Sequence, residues 1–143
     1  MKFKLKRIVE GIEVEVVFDS LDELGTALTN LREIMQSVRI ENAQRRAQLL
    51  WNQTDNVRRV TASIEDSGER IALSLLDRWP NPARNIDITA DTGLSRAGVY
   101  DHLTGRRGDK ADWFRTDDEL YSLSETGEAE VIKLVTNLAN QEE

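Results

Sequence analysis

The chain predicts an α+β fold in two parts, on three observations. Apolar residues largely alternate over 3–18, an apolar stripe at helical spacing follows, and the second half sets four helical segments around another short hairpin. The expected boundary falls at 64/65. Residues 1–64 read as a β-hairpin-and-helix module for dimerisation or docking, and 65–143 as a second domain.

Composition narrows the classes before any motif is read. Hydrophobic residues make up 39% and charged residues 31% of the chain, a balance suited to a globular protein. No apolar run approaches the roughly 18–20 residues that a membrane span requires. The opening Met1-Lys-Phe-Lys-Leu-Lys-Arg7 interleaves charge with apolar residues where a signal peptide would block them, so a cytoplasmic location is expected. There is no cysteine and one histidine, His102, and no Walker loop, dinucleotide fingerprint or nucleophile elbow. A binding protein without metal or cofactor is expected, not an enzyme. The net charge of −7 is uneven: residues 1–62 hold ten Lys/Arg against nine Asp/Glu, and 63–143 hold nine against seventeen. An acidic surface repels phosphate, so a nucleic-acid partner needs a local basic patch.

The first hairpin has a readable register. A two-residue turn at Glu10-Gly11 sets Val9 opposite Ile12, Leu5 opposite Val16 and Phe3 opposite Phe18, while Lys6 and Lys2 meet Glu15 and Asp19. Ser20-Leu-Asp-Glu23 reads as a capping box. The helix after it aligns Leu21, Leu24, Leu28, Leu31, Met35 and Val38, a stripe whose nearest cover is the hairpin's apolar face. One helix on two strands buries little, so this module is expected to dimerise or dock. Residues 40–64 continue a helical spacing through Ala43, Ala47, Leu50, Trp51, Val57, Val60 and Ile64, as one long helix or two short ones. Their arginines, Arg39, Arg45, Arg46, Arg58 and Arg59 against Glu41 and Asp55, read as a solvated face of a linker or dimer helix, or as an added contact to a DNA backbone.

The second half carries the strongest pattern. Asp66 or Ser67 caps a helix bearing Ile71, Leu75, Leu76 and Trp79, which Pro80-Asn-Pro82 stops. A short helix burying Ile88 ends at Gly93, Leu94 points to the core, and Ser95 caps a helix with Val99 and Leu103 inward, ended by Gly105. Trp113-Phe-Arg-Thr116, a tip of Asp117-Asp-Glu119 and Leu120-Tyr-Ser-Leu123 form a hairpin. A last helix then faces Ala129, Val131, Ile132, Val135 and Leu138 inward.

Asp87-Ile-Thr-Ala-Asp-Thr-Gly-Leu-Ser-Arg-Ala-Gly-Val-Tyr-Asp-His-Leu103, followed by Leu120-Tyr-Ser-Leu-Ser-Glu-Thr-Gly127, resembles the winged helix-turn-helix superfamily of prokaryotic regulators, over about half the chain. The resemblance implies a recognition helix over about 95–104 that enters the major groove of double-stranded DNA, with the hairpin as a wing. The residues it implicates are Ser95, Arg96, Ala97, Tyr100, Asp101 and Thr104, with Arg106, Arg107 and Lys110 flanking the groove. From Leu94 to Lys110 four basic residues stand against two acidic ones. A dimeric DNA-binding transcription regulator is thus the expected function. Two features depart from the pattern: Asp101 on the recognition helix, and a wing tip of three carboxylates, which a DNA backbone repels. They favour the alternative of a protein-interaction module in a larger assembly. His102 and the tryptophans Trp51, Trp79 and Trp113 read as packing residues.

Overall fold

The computed structural model describes residues 2–48, 51–54, 57–60 and 64–141 and shows a mixed α+β chain. Two compact units emerge, Met1–Asn42 and Ala43–Glu143, so that the stretch 43–64 groups with the second half.

In the first unit, β1 (Phe3–Val9) pairs antiparallel with β2 (Ile12–Phe18) in the expected register, Val9 opposite Ile12, Leu5 opposite Val16 and Phe3 opposite Phe18. Glu10 and Gly11 both take positive φ, 51° and 76°, the turn whose twist matches that of the flanking strands. The Phe3 and Phe18 rings stack with centroids 5.4 Å apart. On the other face Lys4 and Lys6 reach Glu15 at 3.6 and 3.9 Å, and Lys6 also reaches Glu13 at 3.7 Å. A 3-10 turn, Leu21–Glu23, leads into α1 (Leu24–Ala47). The capping box is only half present. The Glu23 carboxylate accepts from the N–H of Asp19, one residue earlier than expected, and the Ser20 hydroxyl makes no capping bond, because the 3-10 turn uses the Ser20 carbonyl instead. Leu31 closes a small core with Val9 and Val14, flanked by Leu5, Val16, Met35 and Val38. The head of the expected stripe fails: Leu21 is 66% exposed and Leu24 37%. The hairpin is too short to cover both ends of a 24-residue helix.

The second unit begins inside α1. Gln44 donates from Nε2 to the carbonyls of Leu76 and Trp79, both at 2.8 Å, and satisfies groups left open where a helix ends. Where the spacing predicted helix, the chain forms a hairpin, β3 (Trp51–Thr54) with β4 (Val57–Val60), Thr54 opposite Val57. The β-branched Thr54, Val57 and Val60 outweigh a helical spacing carried by few residues. Leu50 and Asp55, part of the helical reading, lie outside the described residues.

Next come α2 (Ser67–Arg78), α3 (Asn85–Thr92), α4 (Arg96–Thr104), β5 (Phe114–Asp117), β6 (Leu120–Leu123) and α5 (Glu125–Gln141). Asp66 caps α2 by accepting from the Glu69 N–H at 2.9 Å. This helix is the hub, with Ile71, Ala72, Leu73, Ser74, Leu75 and Leu76 all buried, and Trp79 half-buried past its end. Ile88, Val99, Leu103, Val131 and Val135 complete the expected core, whereas Ala129 is exposed and Leu94, Ile132 and Leu138 are half-buried. One buried polar cluster joins α2 to α3. Asp91, 4% exposed, accepts from the Ser74 hydroxyl at 2.8 Å and from both Nε and Nη2 of Arg78, at 2.8 and 3.1 Å.

Candidate nucleic-acid interface

The candidate surface is built from a short turn and two caps. Thr92 ends α3, Gly93 takes φ of 75°, and the Ser95 hydroxyl accepts from the Gly98 N–H at 3.0 Å, so α4 starts after only three residues. The side chain of Asn85 donates to the Arg96 carbonyl at 3.2 Å and ties the two helix starts together. Val99 and Leu103 face the core, which turns Arg96, Ala97, Tyr100 and Thr104 to solvent. Gly105 then closes α4 with φ of 83°.

The residues singled out from sequence do not share one fate. Arg96 and Tyr100 are exposed, and the Arg106 guanidinium lies over the Tyr100 ring at 5.6 Å, an exposed cation–π pair. Ser95 is engaged as the cap, and the Thr104 hydroxyl donates back to the Tyr100 carbonyl at 2.8 Å. Arg107 pairs with Asp101 at 3.7 Å, so Asp101 faces a neighbouring cation on its own segment. Lys110 is committed elsewhere: its Nζ sits 3.1 Å from Asp66 and 3.4 Å from Asp109, and 5.4 Å from the centre of the Trp113 ring. Half-buried His102 packs over Gly108, where an added Cβ would meet its Nδ1 at 2.9 Å.

The Lys110–Asp66 contact carries a pH dependence. Partial burial pushes the Asp66 carboxyl upward, but the Glu69 N–H and the Lys110 ammonium outweigh it and hold the group below its usual range. Burial likewise pulls Lys110 down, and Asp66 together with Asp109 more than reverses it. A depressed carboxylate contributes stability above its unfolded pKa of about 4 and loses it as pH falls through the lower folded value. A raised ammonium contributes below its unfolded pKa of about 10.5 and loses it as pH rises through the higher folded value. Lys110→Met keeps the aliphatic stem and is expected to cost about 0.5 kcal/mol at neutral pH, discounted because the Asp66 side chain is 45% exposed. Urea unfolding of both proteins at neutral pH and well below pH 4 checks this, the difference shrinking in acid.

Sequence reasoning missed the neighbour that completes the surface. Ala83 pairs with Tyr121 through two backbone hydrogen bonds of 2.8 Å, so the residues before α3 run beside β6. Arg84 is thereby set next to the second hairpin. Together with Asn85, Ile86, Arg96, Tyr100, Glu119 and Tyr121 it lines an open hollow of about 490 Å³. Among the described residues Arg84, Arg96 and Glu119 form no ion pair, so two guanidinium groups stand available to an anion. The only sequence signal for Arg84 was its place between a proline-stopped helix and the next helix start.

No family model matches this chain, and neither a curated protein nor a solved structure matches it. Among the described residues no helix is long and apolar enough to cross a membrane.

Proposed function

We propose that the chain is a winged helix-turn-helix protein that binds double-stranded DNA and regulates transcription, with α3 and α4 as the motif, α4 as recognition helix and β5–β6 as wing. One observation carries the reading: Arg96 and Tyr100 project from α4 into the same open hollow as Arg84, an exposed pair of cations in an acidic half of the chain. Two guanidinium groups and an aromatic hydroxyl are the chemistry that phosphate and base edges accept. As a homodimer the chain would read two half-sites about one helical turn apart.

Arg96→Ala is expected to weaken duplex binding by about 1–3 kcal/mol and to relax preference at one base pair. Selection from a random duplex library at low salt, followed by titration of wild type and variant on the selected site, makes the measurement. A wild-type protein that selects nothing ends the reading.

The exposed tip carboxylates Asp117, Asp118 and Glu119 favour a second reading, a module that docks a basic protein partner. It requires a partner recovered from native cells and lost when all three become alanine.

A further inference from the structure

The tip of the second hairpin has an unusual turn. Asp117 pairs with Leu120, so the connection is the two residues Asp118 and Glu119, with φ of 49° and 67°. Both lie in the left-handed region, where glycine or asparagine is the ordinary choice at the second position. The chain places a glutamate there. Of the three tip carboxylates only Glu119 lines the hollow that holds Arg84 and Arg96; Asp117 and Asp118 do not. The pairing of β5 with β6 and the Ala83–Tyr121 bridge place the backbone that carries this residue at the edge of the hollow.

A phosphate held by Arg84 would therefore sit beside the Glu119 carboxylate. We propose that Glu119 is an affinity-limiting residue of the interface: its carboxylate opposes phosphate in the hollow and keeps binding to every duplex weak, so that phosphate contacts alone do not give a stable complex and base contacts from α4 are needed as well. The inference rests on the DNA-binding reading above. Non-specific affinity comes almost wholly from phosphate contacts, so a charge that opposes them lowers binding to every duplex, and base contacts supply what is then missing.

The test compares wild type with Glu119→Gln and Asp118→Asn by fluorescence anisotropy on labelled duplexes of unrelated sequence. The two variants change net charge equally, but only one changes the hollow. At about 50 mM salt Glu119→Gln is expected to bind all duplexes about fivefold more tightly, the scale of one unscreened charge a few ångströms from phosphate. At about 0.5 M salt the gain is expected to fall below about twofold, because the screening length there is only a few ångströms. Asp118→Asn is expected to change affinity less than about twofold at either salt. Equal gains from the two variants would overturn the proposal in favour of a net-charge effect. Unchanged affinity would overturn it too. A loss confined to duplexes with one particular base pair would instead make Glu119 an acceptor for a base amine. If neither wild type nor Glu119→Gln binds any duplex, the DNA-binding reading itself fails; wild type that binds while Glu119→Gln gains nothing defeats this inference alone.

Discussion

Asp91→Ala is expected to lower the unfolding free energy by about 3 kcal/mol, as removal of one partner from a buried ion pair does. The carboxylate is 4% exposed and accepts three hydrogen bonds, one from Ser74, which is itself fully buried. Alanine leaves the Ser74 hydroxyl without its acceptor and the Arg78 guanidinium without its counter-charge. The Arg78 side chain is 36% exposed and can turn to water, which keeps the cost toward the lower end of the range for buried pairs. Asp91→Asn retains the shape and part of the bonding and is expected to cost about half as much. Denaturant unfolding of the two variants decides the matter, and an alanine variant within about 1 kcal/mol of wild type would show that the cluster does not hold α3 to α2. Since α3 meets the start of α4 through the Asn85–Arg96 bond, loosening α3 is expected to disturb α4 as well.

Gly127→Ala is the second large effect, expected at about 3 kcal/mol and about 10 °C in melting temperature. An added Cβ at position 127 would stand 1.9 Å from the Trp113 carbonyl oxygen and 2.8 Å from its carbon. Backbone cannot rotate away as a side chain does. Moving that carbonyl also strains the 2.9 Å bond it accepts from the Ser124 N–H, where α5 meets the base of the hairpin. Against this stands a helix-propensity gain of about 1 kcal/mol for alanine over glycine, too small to change the sign. Thermal unfolding by circular dichroism gives the answer. A variant that melts at or above wild type would mean that the close approach is not maintained in solution.

Much of the architecture could be read from local chemistry. The Glu10-Gly11 turn and the pairing of Phe3 with Phe18 follow from alternation and turn preference. Gly93, Ser95 and Gly105 do what a left-handed break, an N-cap and a C-cap do anywhere. Local rules mislead at 51–60, where a helical spacing carried by few apolar residues gives way to the β-branched Thr54, Val57 and Val60. They also misled at Leu21 and Leu24, whose cover depended on how far the hairpin extends. Lys110 looked like a groove cation because it follows the helix in sequence, yet a contact 44 residues away commits it to Asp66.

What this sequence determined by itself was each short-range element: strands from alternation, helix limits from caps and glycines, and an α4 whose core-facing Val99 and Leu103 turn Arg96 and Tyr100 outward. Only the tertiary structure decided the surface, because charge at a site is a sum over groups distant in the chain. The Ala83–Tyr121 bridge, invisible to any periodicity, sets Arg84 beside the second hairpin and brings Glu119 to the same hollow. Periodicity reports which way a side chain points from its own element, but electrostatics depends on which other elements it then faces.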